Sequence, residues 1–307
     1  MSDYLISARK YRPKSFKEVI GQEVITSTLE NAVKNKQLSQ ALLFTGPRGV
    51  GKTSCARILA KMINEDKIPS GSDYSFNIFE LDAASNNGVD GIRNLTDQIR
   101  IPPQTGNFKV YIIDEVHMLS SSAFNAFLKT LEEPPKHCVF ILATTEKHKI
   151  IPTILSRCQI YDFKRISVDD ISSSLIDISK KEKVNYEKNA IQFIAKKADG
   201  SMRDALQIFD RILSSKNNEV TLSNVMENLN ILDNQVYFDL LDLIINNKIP
   251  KLLILINSIL DKGIQGDILV SGLGSFFRDL LVSKDNKSIA LFNTDEETKS
   301  QFKKASS

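Results

Sequence analysis

The sequence predicts an open α/β domain built on a parallel sheet, followed by all-helical segments. Three observations carry this. Between Leu38 and Asp162, short runs that are apolar on consecutive positions alternate with helical patterns. A glycine-rich, phosphate-loop-like stretch sits between the first such run and a helix. After Lys164 the apolar runs give way to amphipathic helical patterns.

The runs are Ala41 to Thr45, Ile78 to Leu81, Val110 to Ile113, Val139 to Thr145 and Ile160 to Phe163. They are rich in β-branched residues and Phe, which fits strands buried on both faces and covered by helices. Among the intervening helices, Lys52 to Ile63 places Ala56, Leu59, Ala60 and Ile63 on one face. Ala123 to Leu131 is another, stopped by Pro134 and Pro135. Beyond Lys164 the sequence predicts no strands. Val168 to Lys183, Lys188 to Ala198, Met202 to Leu213 and Leu222 to Leu229 read as helices, with Gly200 and Lys216-Asn217-Asn218 as separators. Further apolar stripes follow in Val236 to Ile245, Leu252 to Leu260 and Ile268 to Val282. The polar end, Asp295 to Ser307, has no clear helix cap and reads as the cut edge of a longer protein.

Composition narrows the function classes. With 307 residues, 42% hydrophobic and 25% charged, the chain is long enough for two or three domains and is not a disordered chain. The net charge of +3, from 40 basic and 37 acidic side chains, does not by itself announce a nucleic-acid binder. Three Cys, none spaced Cys-x-x-Cys, exclude a disulfide framework and a four-thiolate zinc site. They point to a reducing, cytoplasmic compartment. Met1 to Lys14 lacks the apolar centre of a signal peptide, and no run approaches the roughly 18 apolar residues that span a bilayer, so a soluble protein is expected.

Gly46, Pro47, Arg48, Gly49, Val50, Gly51, Lys52 and Thr53 match the phosphate-loop pattern in full, after a strand and opening a helix. The glycines let backbone N–H groups turn toward a phosphate, and the helix N-terminus adds its positive dipole. Lys52 is placed to reach the β- and γ-phosphates of a nucleotide and Thr53 to ligate Mg²⁺; Ser54 completes the set. Val110 to Ile113 ends in Asp114 and Glu115. Asp114 belongs beside the metal held by Thr53, leaving Glu115 to orient and polarise a water against the γ-phosphate. Asp114-Glu115-Val116-His117 also resembles a helicase box, but no second motor domain follows. His117 reads as a structural residue at a helix start, and His137 beside Cys138 as a packing residue. Arg157, between two strands, and Arg203, at a helix start, are candidate positive charges for the γ-phosphate.

At this point the sequence resembles the gamma/tau subunits of bacterial DNA polymerase III, the clamp-loader ATPases of the AAA+ class of P-loop NTPases. The resemblance rests on Ala8 to Pro13 with Val19 to Glu23, the phosphate loop and Leu81 to Ser85. It continues through Ile113 to Leu119, Phe124 to Pro135, Ala143 to Thr145, Ser156 to Cys158 and Gly200 to Leu206. It implies that Tyr11, Arg12, Pro13, Val19 and Ile20 line an adenine pocket. It makes Thr145, or its neighbour Thr144, the first sensor of the γ-phosphate, Arg203 the second, and Arg157 an arginine finger acting on ATP bound to an adjacent subunit. One departure stands out. Family members commonly carry a four-cysteine zinc module where this chain has Asn64 to Asn77 without Cys.

The implied function is that of the ATP-hydrolysing motor of the clamp loader, which opens a sliding clamp and loads it onto primed DNA. Its cofactors are ATP and Mg²⁺. The implied partners are copies of itself, delta and delta-prime type subunits, the sliding clamp and primed DNA. In longer members a tail reaches the polymerase core and the replicative helicase. DNA is expected near the helix that begins at Gly88, at Arg93 and then Lys129, through phosphate contacts that carry no sequence information; a solvated helix charge is the other reading of Arg93. The expected division is a nucleotide-binding domain over 1–164, a helical lid over 165–231 and the start of a helical collar over 232–307. A related AAA+ helicase or branch-migration ATPase is the alternative. A silent structural subunit is disfavoured because Lys52, Thr53, Asp114 and Glu115 are all present.

Overall fold

The structure, a computed structural model, describes residues 6–64, 77–103, 106–214, 219–229, 232, 234–261, 263–284 and 302–303, and their side chains apart from those of Asp90, Arg93 and Asn94. The interval at which the zinc module is missing thus lies almost wholly outside the described residues, as does most of the polar end. The chain divides into two compact units, 1–220 and 221–307.

The first unit opens with α1 (Ser7–Lys10), a short 3-10 turn (Phe16–Glu18) and α2 (Glu23–Lys34). Then strands and helices alternate: β1 (Ala41–Thr45), α3 (Lys52–Asn64), β2 (Ile78–Asp82), α4 (Val89–Ile99), β3 (Lys109–Asp114), α5 (Ser121–Glu132), β4 (Cys138–Thr144), α6 (Pro152–Leu155) and β5 (Gln159–Asp162). The sheet is parallel throughout, in the order β2-β3-β4-β1-β5.

Successive strand residues point to opposite faces, so the apolar runs feed two cores. On one face Leu42, Phe44, Val110, Ile112 and Ile141 pack with Cys55, Leu59 and Ala60 of α3 and Leu29 of α2. On the other, Leu43, Tyr111, Ile113, Phe140 and Leu142 pack with Ile92 and Ile99 of α4 and Phe124, Phe127 and Leu131 of α5. The central strands β1 and β4 are buried at every position. β2 and β5 depart from the expected full burial. They are the sheet's edges, have a neighbour on one side only, and keep Glu80, Asp82, Gln159 and Asp162 partly or fully exposed.

After β5 come α7 (Val168–Glu182), β6 (Asn185–Tyr186), α8 (Lys188–Lys197), α9 (Met202–Leu213) and β7 (Glu219–Val220). The two-residue parallel pairing of β6 with β7 corrects the expectation that strands end at Lys164. A ladder this short has no period of its own; it forms because the helices around it bring its halves together. Side-chain oxygens of Ser167 and Ser201 cap α7 and α9 by accepting the amides of Asp170 and Asp204.

The second unit consists of α10 (Leu222–Asn228), α11 (Asn234–Ile245), α12 (Ile249–Asp261) and α13 (Gly266–Lys284). Tyr237, Leu240, Ile259, Leu269, Phe276 and Phe302 form its core. Several large apolar side chains of this unit stay exposed, among them Ile245, Leu253, Ile254, Val270 and Leu281.

Candidate active site

Three neighbouring strands end side by side at the site. The register pairs Thr45 of β1 with Thr144 of β4, and Ile113 of β3 with Leu142 of β4. The loop after β1, the acidic pair after β3 and the threonine pair after β4 therefore emerge at one edge, where open α/β sheets hold ligands.

The loop is glycine-dependent for a steric reason. Gly46 has φ +136°, and a Cβ there would run into the carbonyl of Phe163. The Gly46 amide donates to Thr144 O at 3.3 Å, tying the loop to β4. Lys52 begins α3 and is only 6% exposed. Its Nζ donates to the carbonyls of Gly46 and Pro47, both at 2.8 Å. Burial pushes the Lys52 pKa down from the ordinary lysine value, and the charges of Glu115 and Asp114 act against that shift.

The Thr53 hydroxyl donates to Asp114 Oδ2 at 2.7 Å. Hydroxyl and carboxylate oxygens are the donors that a hard divalent cation takes, so this pair fits Mg²⁺. Asp114 Oδ1 accepts the amide of Glu115 at 2.9 Å. Glu115 itself sits in the left-handed region, φ 46° and ψ 45°, a conformation that sequence reading does not foresee. Strained backbone of this kind clusters at functional sites. Its Oε2 accepts two hydrogen bonds from Thr145, from the amide at 3.2 Å and from the hydroxyl at 3.0 Å.

A cavity of about 1170 Å³ lies in front of these groups. Tyr11, Arg12, Pro13, Val19 and Ile20 form part of its wall. Arg48, Gly49, Val50, Gly51, Lys52, Thr53 and Ser54 form another, with Asp114, Glu115 and Arg203 also on it. The residues expected around the base and phosphates of a nucleotide are thus brought together, apart from Gly46 and Pro47 at the root of the loop and Thr145, which is not on the wall and meets the site through its hydrogen bonds to Glu115. The Tyr11 hydroxyl and the Lys10 ammonium both bind Glu182 on α7, and the Ser7 amide donates to Asp210 on α9 at 2.7 Å. These ties of the N-terminal arm to the helices after β5 have no signature in sequence. The Gly49 carbonyl accepts the Met202 amide at 3.1 Å, so the N-terminus of α9, which carries Arg203, rests on the phosphate loop.

Three predicted residues lie elsewhere. Arg157 is absent from the cavity wall; its guanidinium donates to Glu132 Oε1 at 2.7 Å and to the Thr153 carbonyl at 2.8 Å. Lys129 is exposed on α5. Arg93 lies within α4, and its side chain is outside the described ones. His137 Nε2 lies 2.9 Å from the Ile99 carbonyl, a packing contact.

Residues 21–167 match the family described as DNA polymerase III, delta subunit, and residues 170–215 match DNA polymerase III clamp loader subunit, ATPase lid domain. The chain is 43% identical over 290 residues to the DNA polymerase III subunit tau of Bacillus subtilis (strain 168), covering 90% of this chain and 51% of that protein. It is 38% identical over 297 residues to the DNA polymerase III subunit gamma of Buchnera aphidicola subsp. Schizaphis graminum, covering 92% of this chain and 81% of that one. It spans about half the length of the tau subunits it matches, 51% and 46% in Bacillus subtilis and Escherichia coli. Among solved structures, the Thermotoga maritima RuvB Holliday junction branch migration motor has a TM-score of 0.57 at 24% identity over 76% of this chain and 79% of its own, a likeness of fold. No helix among the described residues is long and apolar enough to cross a membrane. With relatives of this identity matched over nearly all of its length, the chain belongs to the DNA polymerase III gamma/tau subunit family.

Proposed function

We propose that this chain is the ATP-hydrolysing motor of a bacterial clamp loader, acting in the cytoplasm to open a sliding clamp and load it onto primed DNA. The observation that carries the reading is the convergence of Lys52, Thr53, Asp114 and Glu115 on one cavity, with Thr53 Oγ1 2.7 Å from Asp114 Oδ2, in a chain of the gamma/tau family.

In this reading Lys52 exchanges the two loop carbonyls for phosphate oxygens. Thr53 and Asp114 would hold Mg²⁺, which when bound neutralises charge developing on the phosphates. Glu115 takes the proton of the attacking water, and Thr145 orients its carboxylate while sensing the γ-phosphate. Tyr11, Arg12, Pro13, Val19 and Ile20 receive the adenine. Arg203 joins the lid to the nucleotide. Arg157, which does not line its own cavity, serves ATP on a neighbouring subunit, which requires an oligomer. The exposed apolar side chains of the second unit support the collar role of residues 232–307, with copies of this chain and delta and delta-prime type subunits as neighbours. Residues 1–164 then form the nucleotide domain and 165–231 the lid. Arg93 and Lys129 are the proposed DNA phosphate contacts, and a tail beyond this chain would reach polymerase and helicase.

The test is ATP turnover by the full-length protein assembled with its partner subunits, with and without clamp and primed DNA. The reading expects clamp and DNA together to stimulate turnover; no stimulation would overturn it.

A further inference from the structure

The sequence assigns His117 no role beyond starting a helix, yet its surroundings are polar on both ring nitrogens. It lies in a short 3-10 turn, Val116–Met118, directly after Glu115. Its side chain is only 6% exposed. Nδ1 lies 3.0 Å from Thr144 Oγ1 and 3.4 Å from Glu115 Oε2. Nε2 lies 3.5 Å from Glu146 Oε1. Thr144, fully buried, accepts the Glu146 amide on the same hydroxyl at 3.0 Å. The ring therefore stands between the end of β3 and the end of β4 and touches both.

We propose that His117 is a positioning residue for ATP hydrolysis, bracing the Glu115 carboxylate through its Nδ1 edge while Thr144 holds the ring; this rests on the reading of Glu115 as the general base. The Glu115 backbone is held in the left-handed region, a conformation that persists where surrounding contacts hold it. Thr145 donates twice to Oε2, and the His117 Nδ1 edge approaches the same oxygen. The ring is held on both edges, by Thr144 and Glu115 at Nδ1 and by Glu146 at Nε2, which fixes its orientation beside the Glu115 carboxylate. The Thr145 and His117 contacts to Glu115 all go to Oε2, and no hydrogen bond among the described residues reaches Oε1, which faces the attacking water in this reading. Placement of a base to within a fraction of an ångström decides its efficiency, and a misplacement of about 1 Å costs on the order of 100-fold in rate.

The experiment uses the full-length chain assembled with its partner loader subunits. It measures single-turnover ATP hydrolysis and, in parallel, the affinity for a fluorescent ATP analogue. His117→Ala is expected to slow hydrolysis about 10- to 100-fold while ATP affinity changes less than about twofold. His117→Asn puts an amide where Nδ1 stands and should recover about tenfold of that loss, whereas His117→Gln mimics Nε2 and should not. The Asn and Gln variants keep the test open if the alanine variant folds poorly, and the analogue affinity reports folding of the site. Equal rates for Asn and Gln, a near-native rate for Ala, or a rate loss that follows ATP affinity would each overturn the inference. Glu115→Gln separates the premise from the inference. If it hydrolyses ATP at the native rate, the base reading falls and the inference with it. If it is inactive while His117→Ala is near native, only the role of His117 falls.

Discussion

Gly49→Ala tests how the lid is seated on the phosphate loop. Gly49 holds φ +76°, and a Cβ built there collides with Ser201 Oγ and lies 3.1 Å from Arg203 Cβ. Ser201 Oγ is the cap of α9, accepting the Asp204 amide at 3.2 Å. The added methyl must displace that cap or lift the helix. An L-residue in the left-handed region costs roughly 1–2 kcal/mol, and loss of a serine cap roughly 1 kcal/mol. The sum, about 2–3 kcal/mol, falls on the lid-seated state in which Arg203 faces the cavity. At 1.4 kcal/mol per decade, ATP affinity should weaken about 30- to 150-fold. Titration of a fluorescent ATP analogue into Gly49→Ala, Ser201→Ala and the double variant measures it. Ser201→Ala removes the colliding atom and forfeits the cap once, so the double variant should lose about 1 kcal/mol less than the sum of the singles. Additivity within about 0.5 kcal/mol would refute the contact as the cause.

Other outcomes follow from the same geometry. Arg157→Ala should leave ATP binding by the isolated chain unchanged and slow hydrolysis only in the assembly; weakened binding by the isolated chain would refute the role in trans. Tyr111 is fully buried, and its hydroxyl has no hydrogen-bond partner among the described residues. Tyr111→Phe should therefore be neutral or raise stability by up to about 1 kcal/mol in urea unfolding, and a clear loss would show that the hydroxyl has a partner. Hydrogen bonds from Lys10 and Tyr11 hold the Glu182 carboxyl below the ordinary 4.5. A lowered folded-state pKa stabilises above the unfolded value, and that contribution disappears as pH falls through the folded one. Acid unfolding should thus show a native advantage over Glu182→Gln that is full above about pH 4.5, declines below it and is gone once pH is below the lowered folded-state value; an advantage independent of pH would contradict the pairing.

Much of the architecture was legible because it is written in local patterns. β1 and β4 read as consecutive apolar residues because both their faces are covered. α9 was read to its residue bounds because its apolar face repeats with the helical period and a serine precedes it. The apolar runs of β2 and β5 predict more burial than these edges have, since a run of apolar residues does not say how many neighbours its strand will have. The β6–β7 pair has no signature in the sequence because two residues hold no periodicity. Within the candidate site, the phosphate loop and the acidic pair are legible by residue type and spacing. The left-handed backbone of Glu115, the ring of His117 against it and the pairing of Arg157 with Glu132 are not, because each depends on a partner from another element.

The sequence by itself determined which candidate groups the chain carries and in what order its elements come. A phosphate loop, a strand ending in two carboxylates and a capped helix are each set by residues close together in the chain. Only the tertiary structure decided which of these groups meet. The order β2-β3-β4-β1-β5 puts the ends of β1 and β3 on either side of β4, so Thr53 reaches Asp114 while Thr145 stands beside Glu115. The seating of Met202 on Gly49 likewise comes from packing after β5, not from the α9 sequence. Hydrogen bonds and steric contacts act over a few ångströms of space, whatever the distance along the chain, and a site drawn from several elements exists only once they have packed.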